Sequence, residues 1–424
     1  MKLSIAEQAT WDLSQWLVYL ESIHNRPIDM GLERVRAVAE RLDVLTPRGC
    51  CFVVAGTNGK GSTVRYLETM AMAAGHSVIA YTSPHIDRYS ERVRWNDQEL
   101  AESEHVAAFQ AIEQARGDIS LTYFEFSTLA ALWLVQQKDP DVVVLEVGLG
   151  GRLDAVNIIS ADVAVVTSIG IDHVALLGNN RDDIGYEKAG VYRQGLPAVC
   201  GDPEPPARLV NHAQSIGADF YRVNHEFRGE RHADTFDFYG PCATWTDLPI
   251  PQLPYANALT ALAALQLSGL SFNVETIRQG LAQARLPGRM EVLSTQPTLV
   301  VDVGHNPHAA EYLCQELQVR YPHSRFRIIC AMLNDKDHAG TMAPFAELAD
   351  AWYLAPLSGE RGTSAETLVK HLPQRVQAPV RYQTFASVGE ALQAALVDIK
   401  ENDVIVGFGS FLTVAAIKKA FQKG

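Results

Sequence analysis

The sequence has 424 residues, of which 47% are hydrophobic, and a formal net charge of −13. This length predicts two or three domains with sizeable cores, and the acidic balance argues against a nucleic-acid or polyanion surface. An anionic substrate would therefore have to be bound by a local cluster of positive charge and by metal ions.

The cysteine pattern and the lack of long apolar segments predict a reducing, cytoplasmic environment. The six cysteines form no C-x-x-C pair, and several lie in apolar runs, which is typical of small buried side chains in a reducing compartment. The N-terminus lacks the apolar core of a signal peptide, and no window reaches the roughly 18–20 apolar residues of a membrane span. We therefore expect a soluble, cytoplasmic protein without a membrane or nucleic-acid partner.

The N-terminal part of the chain is expected to be helical. Apolar side chains recur at near-helical spacing in residues 6–23 and again in residues 30–43. A polar loop, residues 24–31, separates these two helices. The first apolar strand then follows at residues 51–55.

The clearest functional signal is the phosphate loop, residues 56–62, which reads Gly-Thr-Asn-Gly-Lys-Gly-Ser. It follows the first strand and precedes a helical pattern from about Ser62 to Ala74. Its glycines let the backbone approach an anion, its amides and the helix N-terminus face the phosphates, and Lys60 adds a positive charge. The hydroxyl of Ser62 or Thr63 can contact a phosphate or its Mg²⁺. The spacing differs from G-x-x-x-x-G-K-[ST], so a turn that merely joins strand to helix is the alternative.

The segments after the loop alternate between strand and helix, which predicts a doubly wound α/β domain. Strands are expected at 77–81, 141–146 and 162–168, and helices at 101–115 and 124–137. Ligands of such sheets bind beyond the carboxyl ends of the strands, so the polar clusters that follow four strands should meet at one edge. These clusters are Gly56–Ser62, Thr82–His85, Glu146–Asn157 and Gly170–His173.

Three ionisable residues in this region each allow two interpretations. Glu146 closes an apolar strand and can hold Mg²⁺ beside the phosphate loop, or it can be a strand-terminating acid that faces solvent. His173 can be a ligand or a structural histidine after a strand. Lys188 lies near the end of a predicted helix, where the residues alone favour a solvated lysine that interacts with the helix dipole.

The second half of the chain predicts a small antiparallel sheet and a second domain. Residues 225–250 alternate in polarity, and two helices are expected after them, at 255–268 and 274–284. Pro and Gly in residues 286–289 break the second helix, so we expect domains at 1–287 and 288–424. The strands predicted for the second domain are 298–303, 326–331, 351–355, 380–384 and 403–407.

The phosphate loop resembles the ATP loop of the Mur ligase superfamily and is most similar to its folylpolyglutamate synthase branch. The resemblance covers nearly the whole chain through several separated motifs. It implies an α/β protein with a P-loop-containing central domain of the Mur ligase type, which is the ATPase domain. A smaller, Rossmann-like α/β domain would follow as the glutamate ligase domain.

The resemblance also implies roles for individual residues. Lys60, His173 and Lys188 would be catalytic, with Lys188 carbamylated. The implied ATP-binding residues are Thr57, Asn58, Gly59, Lys60, Gly61, Ser62, Asn257, Arg289 and Asp302. The implied metal ligands are Ser83, Glu146 and His173. The implied pterin-binding residues are Asp29, Met30, Gly31, Thr122, Tyr123, Phe124, Glu125, Leu153, Asp154 and Ala155. One departure is Val303-Gly304, where the family usually has Gly-Ala before His-Asn.

The implied reaction is ATP-driven amide formation through an acyl phosphate. The implied substrates are 7,8-dihydropteroate, tetrahydrofolate derivatives, L-glutamate and ATP, with one or two Mg²⁺ ions, a monovalent cation as a further option, and a monomeric enzyme. The segments 29–31 and 122–125 look like the pterin loops of members that make dihydrofolate as well as polyglutamates.

Several alternatives remain open. Folylpolyglutamate synthesis alone is the nearest one. A P-loop phosphotransferase or ATPase without ligation, and a nucleotide-binding protein without catalysis, are more distant. A murein-precursor ligase is not expected, because only about 50 residues precede the first strand and its additional domain needs roughly 100.

Overall fold

The structure is a computed structural model that describes residues 8, 10–26, 28–374 and 379–422. The chain divides into two compact units, Met1–Ala284 and Arg285–Gly424. The boundary predicted at 287/288 falls just after this division.

The elements of the N-terminal unit are as follows. Its helices are α1 (Leu13–Ser22), α2 (Glu33–Leu42), α3 (Lys60–Ala73), α4 (Glu102–Arg116), α5 (Tyr123–Lys138), α6 (Val174–Leu177), α7 (Arg181–Ala189), α8 (Ala207–Ser215), α9 (Tyr255–Leu267) and α10 (Val274–Gln283). Its strands are β1 (Cys50–Ala55), β2 (Val78–Tyr81), β3 (Val93–Trp95), β4 (Gln98–Glu99), β5 (Val142–Glu146), β6 (Val163–Val166), β7 (Pro197–Cys200), β8 (Asp219–Arg222), β9 (Arg228–Arg231), β10 (Thr235–Tyr239) and β11 (Thr244–Pro249).

The larger sheet of this unit has the strand order β4-β3-β2-β5-β1-β6-β7-β8. The strands from β2 to β8 in this order run parallel, whereas β3 and β4 form an antiparallel edge. The strands β5 and β6 are buried along their whole length, as their continuous apolar runs predict for a sheet covered on both faces. Because β2, β5, β1 and β6 are parallel neighbours, their carboxyl ends lie at one edge, which confirms the predicted architecture.

Two predicted helices differ in their bounds from the spacing. Within the predicted range 6–23, Gln8 is helical, residues 10–12 are not, and the helix α1 begins at Leu13, where Asp12 and Gln15 form a reciprocal capping box with distances of 2.8 and 3.0 Å. Residues 6, 7 and 9 of the prediction lie outside the described residues. The helix α2 begins at Glu33 rather than at residue 30, so Met30 and Gly31 belong to the preceding loop.

The predicted antiparallel segment is a separate sheet with the order β11-β10-β9. Phe236 and Phe238 of β10 are fully buried, and the Phe236 ring lies edge-on to Tyr255 of α9 with ring centroids 5.0 Å apart. The strands β7 and β8 and the β3–β4 edge, each two to four residues long, were not predicted.

The C-terminal unit is a second α/β layer structure. Its strands are β12 (Glu291–Thr295), β13 (Thr298–Asp302), β14 (Arg325–Cys330), β15 (Ala349–Leu354), β16 (Tyr382–Thr384) and β17 (Asp403–Phe408). Its helices are α11 (Pro307–Arg320), α12 (His338–Met342), α13 (Ala365–Val369), α14 (Val388–Asp398) and α15 (Phe411–Phe421). The order β12-β13-β17-β14-β15-β16 is parallel except at β12, the strand that the sequence did not predict.

The sequence predicted unpaired cysteines and no membrane-spanning segment. All six cysteines are free thiols. Within the described ranges, the helices are too short or too polar for any of them to cross a bilayer.

A buried ion network ties α3 to the segment after β2. Glu68 of α3 is fully buried and accepts hydrogen bonds from Arg65 Nη1 (3.1 Å) and Arg94 Nη2 (2.8 Å). Arg65 also pairs with Asp97. Arg94 Nη1 donates to Thr82 Oγ1 (3.2 Å), so the helix that begins in the phosphate loop is held to the neighbouring strand end.

Removing the Glu68 carboxylate should destabilise the N-terminal unit. Deletion of one partner of a buried ion pair costs about 3–5 kcal/mol, because the other charge stays buried. We expect Glu68→Ala to lower the free energy of unfolding by that amount in urea denaturation. The matched control is Glu40→Ala, which removes an exposed carboxylate from α2 and should change it by less than about 0.5 kcal/mol. Equal effects of the two substitutions would contradict this role.

Candidate active site

The phosphate loop is fastened to the segment that follows β6. The Thr57 amide donates to the carbonyl of Ser168 (2.7 Å), and the Thr57 hydroxyl donates to the carbonyl of Gly170 (3.1 Å). The Asn58 amide donates to Ser168 Oγ (3.3 Å). Thr57 therefore uses its polar groups to position the loop, next to the predicted cluster that ends at His173.

The phosphate loop requires glycine at position 59 for two reasons, the backbone conformation there and the lack of space for a side chain. It is the N-cap of α3 with φ +85°, in the left-handed region that favours glycine. A Cβ at this position would lie 2.4 Å from Oδ1 of Asn257. Asn257 lies in the first turn of α9 and is buried. The structure thus brings this predicted ATP-binding residue onto the loop.

The first turn of α3 presents a cation and two hydroxyls. Lys60 Nζ donates to the carbonyl of Gly56 (3.0 Å), so its charge lies over the loop. Gly61 and Ser62 follow it in the helix. In the described part of the chain, the buried hydroxyls of Ser62 and Thr63 have no hydrogen-bond partner. Buried hydroxyls without partners are costly, so these residues fit a phosphate group or a phosphate-bound Mg²⁺.

Ser83 and Glu146 form a pair at the ends of β2 and β5. The Ser83 amide donates to Glu146 Oε2 (3.2 Å), and Glu146 is only 5% exposed. The alternative of a solvent-facing acid is therefore wrong. Mg²⁺ is commonly held by one or two carboxylates together with substrate phosphates, which this pair beside the phosphate loop fits. The described residues contain no group of three or more His, Cys, Asp and Glu side chains that could hold a metal without such help.

His173 lies at the same edge of the sheet. It is the N-cap of the short helix α6, with φ +51°, and its side chain is 39% exposed. Its Nε2 lies 4.0 Å from Oδ1 of Asp172, which also accepts the His173 amide (2.8 Å). Its predicted part in metal binding stays a prediction.

Lys188 is buried in the last turn of α7, not solvated as its position in the helix suggested. It is 3% exposed. Burial, together with the positive charge of Lys60, lowers the pKa of Lys188 to about 7, although Asp172 and Asp154 act in the opposite direction. A large fraction of this amine is therefore neutral, and nucleophilic, near neutral pH.

Asp154 is the second buried group with a displaced pKa. It is 3% exposed, and burial raises its pKa to about 6, while backbone amides oppose that rise. Two of these amides are Leu149 (2.8 Å) and Val156 (2.9 Å). Asp154 also caps the short 3-10 helix Ala155–Ile158, so it fixes the course of the chain beyond β5.

The structure brings the three predicted pterin segments together. A Cβ on Gly148 would lie 2.4 Å from Cζ of Phe124, and a Cβ on Gly150 would lie 3.7 Å from Cε of Met30. The residues of segment 153–155 follow directly, with Leu153 40% exposed. Apolar and aromatic side chains therefore surround the glycine turn that follows Glu146.

Arg34 joins two of these segments, and sequence reasoning missed it. Its Nη1 lies 2.7 Å from Oδ2 of Asp29, and its Nη2 donates to Oε1 of Glu125 (3.0 Å). The other oxygen of Glu125 accepts the Thr122 amide (2.7 Å), which completes a capping box at the start of α5. Nothing in the spacing of Arg34 marks this contact, since its partners are five and 91 residues away.

Two predicted ATP-binding residues lie together in the C-terminal unit. The Asp302 carboxylate, at the end of β13, accepts the amides of Met290 (2.9 Å) and Gly304 (2.7 Å). Burial raises the pKa of Asp302, and the charge of Arg289 opposes that rise. The guanidinium of Arg289 lies 5.2 Å from the Phe411 ring centroid.

Two separate parts of the chain match known domain families. Residues 54–199 match the Mur ligase middle domain, and residues 288–411 match the Mur ligase glutamate ligase domain. The chain is 50% identical to the dihydrofolate synthase/folylpolyglutamate synthase of Escherichia coli, over 98% of this chain and 97% of that protein. The chain belongs to the Mur ligase family. Within it, the similarity is to the dihydrofolate synthase/folylpolyglutamate synthase branch over nearly the full length.

Solved structures of this Mur ligase branch have the same fold. The E. coli FolC protein in complex with DHPP and ADP is 50% identical, with a TM-score of 0.95 and coverage of 98% of this chain and 99% of that chain. A bifunctional enzyme from Yersinia pestis, complexed with AMPPNP and a Mn ion, is 49% identical, with a TM-score of 0.93 and coverage of 98% and 99%. The expected Mur-ligase-like fold and ligase class are therefore confirmed.

Substitution of Gly59 should weaken nucleotide binding beyond its effect on stability. Gly59→Ala introduces a left-handed alanine, which costs roughly 1–2 kcal/mol, and pushes Asn257 off the loop. The matched control is Gly75→Ala, with φ +91° and nothing within 4 Å of an added Cβ. We expect both variants to be destabilised by the left-handed alanine, Gly59→Ala further by the displacement of Asn257, and only Gly59→Ala to bind AMPPNP more weakly in calorimetric titration. Equal nucleotide affinities in the two variants would refute the assignment of the loop.

Proposed function

We propose that this chain catalyses the ATP-dependent addition of L-glutamate to 7,8-dihydropteroate, which forms dihydrofolate, and of further glutamates to tetrahydrofolates. The observation that carries the proposal is the arrangement at one sheet edge, where the phosphate loop with Lys60 lies beside Glu146 and the pterin segments. The family membership and the glutamate ligase domain at residues 288–411 support it.

The reaction consists of two steps at one carboxyl group: phosphorylation of its oxygen, and then attack of an amine on its carbon. The substrate carboxylate attacks the γ-phosphorus of ATP, a new O–P bond forms, and ADP leaves. The amine of L-glutamate then attacks the acyl carbon, phosphate leaves with the bridging oxygen, and the amine loses a proton. Lys60 offsets the charge on the transferring phosphoryl group. Holding the reactants in line can supply about 7–11 kcal/mol of the barrier reduction.

Each set of residues has a separate part in this scheme. Ser83 and Glu146 would hold Mg²⁺, with His173 as the ligand of a second ion. Bound Mg²⁺ supplies charge neutralisation at the phosphates. The pterin segments orient the acceptor, and Arg34 fixes two of these segments relative to each other. For domain 288–424, Arg289 and Asp302 would contribute to ATP binding.

Compartment and assembly belong to the proposal as well. Six free thiols, of which four are buried, suit a reducing cytoplasm. The enzyme is proposed to act as a monomer.

A phosphotransferase or ATPase without ligation is the less favoured function. It would have no use for the domain that matches the glutamate ligases. A chain limited to folylpolyglutamate synthesis would turn over tetrahydrofolate and leave dihydropteroate unused.

Loss of the loop cation should abolish ligation and spare the fold. We expect Lys60→Ala to lower glutamate-dependent ADP release with dihydropteroate at least about a hundredfold, because the charge on the transferring group loses its neutralising partner. The circular dichroism spectrum should be unchanged. The control is Lys138→Ala, which removes an ion pair with Glu104 at the end of α5 and should keep full turnover. Near-native turnover of Lys60→Ala, or ADP release that is independent of glutamate, would overturn the assignment.

Lys188 should take up CO₂ as the pH rises. The neutral amine attacks CO₂, a C–N bond forms, and the loss of a proton leaves a carbamate. Because the neutral fraction grows as the pH passes through about 7, incorporation of isotope-labelled CO₂ should be greater near about pH 8 than near about pH 6. The carbamate signal is read by NMR, with Lys188→Arg as the control that should lose it. A spectrum of the native protein equal to that of Lys188→Arg at the higher pH would refute carbamylation.

A further inference from the structure

Arg92 is a buried arginine of the N-terminal unit that has no role in the proposed reaction. It ends the 3-10 helix Tyr89–Arg92, directly before β3, and is 7% exposed. Its carbonyl accepts the amide of Thr82 (2.8 Å), the residue that follows β2. The backbone of Arg92 is therefore fixed to the strand end that carries Ser83.

The groups around the Arg92 guanidinium are neutral. Its Nε donates to Nδ1 of His85 (2.9 Å), and its central carbon lies 5.3 Å from the ring centroid of Tyr123 and 5.5 Å from that of Tyr89. Because Nδ1 of His85 accepts this hydrogen bond it carries no proton, and the imidazole is an uncharged acceptor. Two rings and an imidazole orient the guanidinium without neutralising it.

Other buried arginines of the protein have carboxylate partners. Arg65 pairs with Glu68, and Arg327 with Asp403 at 2.8 Å. Within the described residues, no carboxylate lies at ion-pair distance from Arg92. The carboxylate of the adjacent Glu91 does not pair with Arg92, because its two oxygens accept hydrogen bonds from the backbone amides of residues 86–88.

A buried cation without a counterion is costly, and a bound anion removes that cost. The planar fork of a guanidinium matches the two oxygens of a carboxylate.

The position of Arg92 favours the pterin-side substrate over the nucleotide. The strands β2 and β5 separate β3 from β1 and its phosphate loop, whereas Tyr123 belongs to a pterin segment and His85 lies two residues beyond Ser83.

We propose that Arg92 binds the carboxylate of the pterin-side substrate, the group that is to be joined to glutamate. This inference rests on the proposed function. In dihydropteroate the group is the benzoate carboxylate. Arg92 would hold it next to Ser83 and Glu146, where the phosphoryl group arrives, while Tyr123 flanks the aromatic ring that carries it.

The test compares two ligands in the full chain by calorimetric titration. One is dihydropteroate, and the other is its analogue with a carboxamide in place of the carboxylate. We expect the native protein to prefer the carboxylate by about 10- to 100-fold, as for a charge-assisted bidentate contact. Arg92→Gln should bind both ligands within about twofold of each other, and Arg92→Lys should keep part of the preference. The control is Arg88→Gln, which breaks an exposed pair with Glu99 and should keep all of it.

Each outcome decides the inference. A preference retained in Arg92→Gln would overturn it, and so would an equal loss of affinity for both ligands, which is what a purely structural role produces. A loss of AMPPNP affinity alone would also overturn it and assign Arg92 to phosphate. Should Arg92→Gln fail to fold, Arg92→Lys carries the comparison, and a full native preference there would contradict bidentate binding. Because these are binding measurements, they are separate from glutamate-dependent turnover, whose absence in the native protein would refute the proposed function instead.

Discussion

Four parallel strands that end at one edge of the larger sheet are the constraint on which the site depends. The order β2-β5-β1-β6 brings four polar loops side by side, and hydrogen bonds from Thr57 to the segment after β6 hold the phosphate loop in that row. The loops also exclude water from ionisable groups. As a result the pKa of Lys188 falls and that of Asp154 rises, so both groups can change protonation near neutral pH.

Much of this arrangement could be predicted from the sequence because its signals are local. A continuous apolar run such as that of Val142–Glu146, which is apolar up to its final glutamate, is typical of a strand covered on both faces, and alternation with helices implies parallel pairing. Glycines around Lys60 mark the phosphate loop. Strand-end position alone placed Glu146 at the correct edge. The predictions of helix starts were less accurate. The cap formed by Asp12 decides where α1 begins, and the spacing of apolar residues does not show this cap.

The contacts that could not be predicted join residues distant in the chain. Arg34 reaches Glu125 across 91 residues, and no spacing rule links them. The burial of the Lys188 side chain could not be predicted either, because Lys188 lies at a helix end, where lysine is usually solvated. Arg92 looks like any charged residue before a strand until the packing of Tyr89 and Tyr123 shows that its charge lacks a carboxylate among the described residues.

The central claim is that the substrate carboxylate attacks the γ-phosphate of ATP before the amide forms. Dihydropteroate with heavy oxygen in its carboxylate tests this directly, by mass analysis of the phosphate released during glutamate-dependent turnover. The account predicts one labelled oxygen in each phosphate, because the C–O bond breaks when the amine displaces the phosphate. Phosphate without label, formed together with the amide product, would contradict it.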